Sequence, residues 1–329
     1  MATDETLIRT ENVTKHFPAG RGRVLRAVDG VTLSIQRGET LGLVGESGCG
    51  KSTLGRLICR LDTPTSGRIW LDGADLLDIS PAELRRIRPR MQMVFQDPFA
   101  SLNPHKSVEQ IVGLPLRIKG ARAKSEIRHR VYELLQVVGL DPSQANRFPH
   151  QFSGGQRQRI GIARALACEP EIIIADEPVA SLDVSIQAQI LAVLRSLQQA
   201  FHLTMVFISH DVSVVSHVSE RIAVMYLGRI VELGPAQIVI DKPAHPYTRA
   251  LIAAVPQIGH SQPSTLLSGD IPSPTAIPSG CRFRTRCYRD QIPACLNDEP
   301  ALIEIAPRHM VACHLASSGD ANQIDEPTP

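Results

Sequence analysis

The apolar positions of this chain fall into short runs that stop at polar or glycine-rich residues, and that punctuation predicts an architecture. Thr40-Leu41-Gly42-Leu43-Val44 runs directly into Gly45-Glu46-Ser47-Gly48-Cys49-Gly50-Lys51-Ser52-Thr53. Ile172-Ile173-Ile174-Ala175 stops at Asp176-Glu177, and Thr204-Met205-Val206-Phe207-Ile208-Ser209 stops at His210. Such runs read as strands buried on both faces. Met91-Gln92-Met93-Val94-Phe95-Gln96 reads as another strand with a polar end. Elsewhere the period differs. Val31-Thr32-Leu33-Ser34-Ile35 alternates, as a half-buried strand does, and with Leu7-Ile8-Arg9-Thr10 and a turn at Gly20-Arg21-Gly22-Arg23 it predicts β-rich structure over 7–38. Ile127, Val131, Leu134, Leu135 and Val138 share one face of a helix over 121–139. A second helix is predicted over 186–199, and a hairpin over 222–232 turns at Leu227-Gly228. Proline and glycine become frequent beyond about 240, which places a boundary there. The tail from Ala316 to Pro329 is predicted to be disordered.

The polar ends carry the chemistry. Residues 45–52 have the form G-x-x-x-x-G-K-S between a strand and a helix, the setting in which that motif cradles phosphate. Glycines let the backbone curl so that its N–H groups face an anion, and the helix beginning near Lys51 adds its positive end. Lys51 reaches the outer phosphates, and the Ser52 hydroxyl is a Mg²⁺ ligand. Asp176, closing a buried strand, is a second Mg²⁺ ligand, and Glu177 beside it is the carboxylate to polarise an attacking water. Gln96 is placed to ligate the metal and sense the γ-phosphate, and His210 to bond the γ-phosphate and Glu177. All are expected at the carboxyl edge of one sheet, where open α/β sheets bind ligands. Ser153-Gly154-Gly155-Gln156 opens another helix and is a second anion site. It is redundant for a nucleotide already held by Lys51, which points to a nucleotide on another subunit.

Composition narrows the setting. The 329 residues are 43% hydrophobic, which supports a large core, and the net charge of +2 gives no case for a nucleic-acid partner. No apolar run approaches the ~20 residues that span a bilayer. The acidic, polar start is no secretory signal. The expectation is a cytoplasmic chain that meets membranes through partners. Cys49 reads as a small filler of the glycine loop, and Cys59 and Cys168 as core residues. Cys281, Cys287, Cys295 and Cys313 crowd into the last fifth.

In order and spacing, these motifs resemble the nucleotide-binding subunit of an ABC transporter over residues 7–240. Walker A is 45–53, the Q-loop Gln96, the signature 153–156, Walker B 172–177, the D-loop Ser181-Leu182-Asp183 and the switch histidine His210. The resemblance implies a P-loop α/β cassette: a mixed RecA-like sheet core, a β-subdomain and a helical subdomain over about 97–165. It also implies that two subunits close head to tail with ATP between one P-loop and the other's signature, and that Phe17 stacks on adenine. The loop Gly45-Glu46-Ser47-Gly48-Cys49-Gly50 and the segment Lys242-Pro243-Ala244-His245-Pro246-Tyr247-Thr248-Arg249-Ala250-Leu251 resemble the dipeptide/oligopeptide importer branch, whose small irregular C-terminal extension would occupy 241–316. Nickel or glutathione are alternative cargoes within that branch. The implied partners are a second, different ABC ATPase, two permeases and, indirectly, an extracytoplasmic binding protein. The implied location is the cytoplasmic face of the inner membrane.

The late cysteines, spaced C-x5-C-x7-C-x17-C, suit a tetrahedral metal or an Fe–S cluster. A zinc site would more usually show C-x2–4-C pairs, which are missing, and unmetallated thiols are the third reading. Arg282, Arg284, Arg286 and Arg289 lie among the first two and would offset thiolate charge. The family resemblance favours a [4Fe-4S] cluster, structural or regulatory in role, with Zn²⁺ as the alternative.

Overall fold

The computed structural model describes residues 6–20, 22–120, 123–254 and 269–316. The 317–329 tail, the Arg21 tip of the first turn and the start of the 121–139 helix lie outside them.

The chain begins with two long antiparallel strands, β1 (Thr6–Pro18) and β2 (Val24–Gln36), then β3 (Thr40–Val44) and helix α1 (Lys51–Ile58). Strands β4 (Ser66–Leu71) and β5 (Ala74–Asp75) complete a sheet ordered β2-β1-β4-β5. Helix α2 (Pro81–Ile87) and β6 (Met91–Val94) lead into a helical region. It holds α3 (Pro98–Ser101), α4 (Val108–Val112), α5 (Leu114–Lys119), α6 (Lys124–Val137) and α7 (Gly154–Leu166). Next come β7 (Ile172–Asp176), α8 (Val184–Phe201), β8 (Thr204–Ser209), α9 (Val212–Val218), β9 (Arg221–Tyr226) and β10 (Arg229–Pro235). Helices α10 (Ala236–Asp241), α11 (Pro246–Ala253) and α12 (Pro293–Asn297) precede a last hairpin, β11 (Ile303–Ala306) and β12 (His309–Val311).

Among the described residues the main sheet is ordered β11-β12-β10-β9-β3-β8-β7-β6. Its centre is parallel: β3 pairs with both β8 and β9, and β7 with both β6 and β8. Every residue of β3, β7 and β8 is buried, as continuous apolar runs require. One core fills the space between this sheet, α1 and the β1–β2 layer; the other joins the opposite sheet face to the helical region. All five apolar residues assigned to that helix face lie in the second core, four on α6 and Val138 just after it. The Leu227-Gly228 turn has φ of 41° and 84°, the left-handed pair that a tight hairpin needs.

The described residues after 240 are tied to this framework. β12 pairs with β10, so the C-terminal hairpin extends the main sheet. Cys59 is buried as expected, whereas Cys168 is only partly buried, in the turn after α7.

Candidate active site

β3 ends at Val44, and the chain turns through 45–50 into α1. Two glycines are required there. Gly45 has φ 151°, and a Cβ on it would stand 2.2 Å from the Met225 carbonyl oxygen. Gly50 has φ 108°, and its Cβ would stand 1.9 Å from the Ala27 carbonyl oxygen. Backbone cannot yield, so only glycine fits. The loop is wedged between β2 and β9, and the Gly228 N–H donates to the Cys49 carbonyl at 2.9 Å. Lys51 is buried, and its Nζ donates to the carbonyls of Gly45 (2.6 Å) and Glu46 (3.0 Å). This holds an ammonium across the mouth of the loop. The Cys49 thiol is buried 3.8 Å from that ammonium, and burial pushes it up, so it fills space as a neutral group.

The Ser52 hydroxyl donates to Asp176 Oδ1 at 2.7 Å, joining the start of α1 to the end of β7. Burial raises the Asp176 carboxyl above its ordinary value; the Ser52 bond opposes this. A hydroxyl and a carboxylate in contact are a hard-oxygen pair that fits Mg²⁺. Glu177 has a left-handed backbone, φ 45°, and its N–H donates to the Ile208 carbonyl at 2.9 Å. Strain of this kind persists only where surroundings enforce it, and here β8 does. The Glu177 carboxylate meets other partners than Asp176: Gln96 Nε2 donates to its Oε2 at 2.9 Å, and His210 Nδ1 lies 3.4 Å from the same oxygen. Gln96 follows β6, Glu177 follows β7 and His210 follows β8, so adjacent parallel strands deliver all three, next to the loop that follows β3.

The other expected residues lie apart from this group. Ser153 caps α7, accepting from the Gln156 N–H at 3.3 Å while the Gln156 side chain accepts from the Ser153 N–H at 3.0 Å. Gly154 and Gly155 face Leu182 and Ile186, where added Cβ atoms would stand 3.2 and 2.4 Å from side-chain carbons. Asp183 caps α8, accepting from the Ile186 N–H at 3.1 Å. Phe17 stands at the end of β1, its ring 5.1 Å from the Lys15 ammonium and more than a third exposed. Sequence reasoning missed residues that grip the loop from the C-terminal region. Arg286 pairs with Glu46, and the Tyr247 hydroxyl accepts from the Glu46 N–H at 2.8 Å. Their signal was present in the arginines among the cysteines, which the sequence reading assigned to thiolates.

This fold and site define an ABC-type P-loop ATPase cassette. The chain matches the ABC transporter family model over residues 28–180 and the oligopeptide/dipeptide transporter C-terminal region over 231–295. The oligopeptide transport ATP-binding protein AppF of Bacillus subtilis is 50% identical over 96% of this chain and 99% of its own length. The putative peptide import ATP-binding protein BOV_A0347 of Brucella ovis is 50% identical over 94% of this chain and 98% of its own. The dimeric structure of the ATP-binding cassette MJ0796 bound to ADP and Pi is 36% identical, with a TM-score of 0.64, covering 70% of this chain and 98% of that one. The chain belongs to the ATP-binding proteins of the oligopeptide/dipeptide branch of the ABC transporters. Among the described residues no helix is long and apolar enough to cross a membrane.

The expected [4Fe-4S] cluster, and the zinc alternative with it, is corrected by the structure. Cys281, Cys287, Cys295 and Cys313 line one small cavity, yet among the described residues no group of His, Cys, Asp or Glu is placed to hold a metal ion. Burial pushes the Cys281 thiol up to about 11, and Cys287 and Cys313 are raised by the same cause. Arg282 and Arg286, expected to offset thiolate charge, instead bond carboxylates: Asp29 and Glu299 for one, Glu46 for the other.

Proposed function

We propose that this chain is the ATP-hydrolysing subunit of an importer for di- and oligopeptides, acting at the cytoplasmic face of the inner membrane. One observation carries the reading: Glu177, bracketed by Gln96 and His210, stands beside Asp176, which is joined to Ser52 of the P-loop. The 45–53 loop, residues Gly45, Glu46, Ser47, Gly48, Cys49, Gly50, Lys51, Ser52 and Thr53, holds the phosphates of ATP. Ser52, Gln96 and Asp176 would hold Mg²⁺, which would supply charge neutralisation at the phosphates. Lys51 exchanges its carbonyl partners for phosphate oxygens. Glu177 orients and polarises the attacking water, its carboxylate held through Oε2 by Gln96 with His210 alongside. Phe17 stacks on adenine.

Ser153, Gly154, Gly155 and Gln156 serve the nucleotide of a second, different ABC ATPase subunit, with Asp183 at the same junction. Closure of that pair drives two permeases, and an extracytoplasmic binding protein delivers the cargo. The permeases dock near 97–116, where Phe99 is 62% exposed beneath the Arg157 guanidinium, 3.9 Å from its ring centre. The names of the relatives support peptide cargo.

The test is uptake of labelled di- and tripeptides in a deletion strain, restored by wild type or by Glu177→Gln, with nickel uptake in parallel. Peptide uptake rescued by wild type alone is the expected result. Normal peptide uptake with lost nickel uptake would replace the cargo and keep the mechanism.

A further inference from the structure

Residues 281–287 read Cys-Arg-Phe-Arg-Thr-Arg-Cys, and nothing in phosphate chemistry requires them. Arg286 sends Nη1 to Glu46 Oε2 at 2.7 Å and Nη2 to Oε1 at 2.9 Å, a two-pronged pair, while its own side chain is 4% exposed. Tyr247 accepts the Glu46 N–H, and Lys51 holds the Glu46 carbonyl. Residue 46 is therefore fixed at its side chain, its amide and its carbonyl. Tyr226, Tyr247 and Phe283 pack beneath, with ring centres 4.7 to 5.5 Å apart. Four residues earlier, Arg282 bonds Asp29 and donates to the Leu227 carbonyl at 2.6 Å. Asp29 in turn holds His16 at 2.8 Å, and His16 precedes Phe17. One short turn thus reaches both the phosphate loop and the strand end that carries the aromatic ring.

Burying a guanidinium is costly unless its pairing is good, and replacing such a pair by apolar residues is often neutral or stabilising. A mere fastener would not need two arginines, each ending on or next to the loop or ring that contacts nucleotide. We propose that Arg286 and Tyr247 are positioning residues for ATP, setting the curvature of the 45–53 loop, and that Arg282 sets the Phe17 strand end through Asp29 and His16. This rests on the reading of that loop as the ATP site. A loop ordered in advance loses less freedom when phosphate binds, so the effect falls on affinity. Glu177, on a different strand, keeps its role in the chemical step.

The experiment uses the full chain and a fluorescent N-methylanthraniloyl ATP as probe, with thermal melting as the folding control and Lys51→Ala as reference. Arg286→Gln, Glu46→Gln and Tyr247→Phe should each raise Kd about tenfold, a loss near 1.4 kcal/mol. Arg286→Lys should recover part of it. The double variant Glu46→Gln/Arg286→Gln should be no worse than either single one. In the assembled transporter, Arg286→Gln and Tyr247→Phe should raise KM for ATP with kcat within twofold. Unchanged Kd in folded Arg286→Gln and Tyr247→Phe, or additive losses in the double variant, would overturn the proposal. Retained binding in Lys51→Ala would instead overturn the ATP-site reading, so the two failures are distinct.

Discussion

Lys51 and His245 are both buried, and each supports a prediction at the scale of one residue. Lys51 is the buried cation of the loop, and truncating it removes a charge that backbone carbonyls cannot replace. Lys51→Ala should cost at least a hundredfold in ATP affinity, roughly 2.7 kcal/mol, read by equilibrium binding. His245 is fully buried, and its Nδ1 accepts the Tyr247 N–H at 3.0 Å to cap α11. That bond requires the neutral ring, and burial lowers the pKa from 6.5 to about 4. The unfolded chain therefore binds the proton more readily. Stability from this group is fully present above pH 6.5 and is lost as pH falls toward 4, by up to about 1.4 kcal/mol per pH unit. His245→Asn keeps a capping acceptor without the titration. The difference in melting temperature between wild type and this variant should shift against wild type between pH 6.5 and 4. A constant difference would remove the assignment.

At the scale of elements, the glycines of the 153–156 segment let α7 lie on the start of α8. A Cβ on Gly155 would meet Ile186 at 2.4 Å, while one on Gly161, further along α7, would meet nothing within 4 Å. Gly155→Val should destabilise by about 1–3 kcal/mol, and Gly161→Ala should stabilise by up to about 1 kcal/mol, both read from denaturant midpoints. Equal effects would mean that helix propensity, not packing, governs the junction. The same contrast explains which elements were legible from sequence. β3, β7 and β8 are apolar end to end because both their faces are covered, so their runs and polar tips stood out. β1 and β2 each span 13 residues, yet only part of each was read, because register shifts between Thr10 and His16 break the two-residue period. The β11–β12 hairpin went unread, since four and three residues in a proline-rich stretch carry no pattern of their own. Its partner β10 lies far earlier in the chain, Leu233 opposite Met310, and only the fold brings them together. The P-loop glycines, the strand-end carboxylates and His210 stood out because each ends or follows an apolar run, and the fold brings them to one sheet edge. Arg282 and Arg286 were misassigned because sequence shows a charge without its partner.

For the whole molecule, the boundary placed near 240 marks a change of texture, and the contacts across it argue that both sides stand or fall together. Glu232 on β10 is completely buried and is held from three places after that boundary: the N–H groups of Ala244 and His245, each at 2.9 Å, and His309 Nε2 on β12 at 2.8 Å. A carboxyl group at this depth needs each of its partners. β12 also covers the edge that β10 would otherwise present, and the Arg282 and Arg286 pairs bind the loop side of the same region. A unit secured at its sheet edge, at a buried carboxyl and at two arginine pairs has no independent way to melt. Calorimetry of the full chain should show a single unfolding transition. His309→Leu, which leaves Glu232 Oε1 with the Ala244 N–H alone, should lower that transition by the equivalent of about 2 kcal/mol without splitting it. Two resolved transitions in wild type, the smaller one abolished by this variant, would mean that the C-terminal region folds as a separate body. The route from Arg286 to the nucleotide loop would then be a contact between bodies, open to independent control.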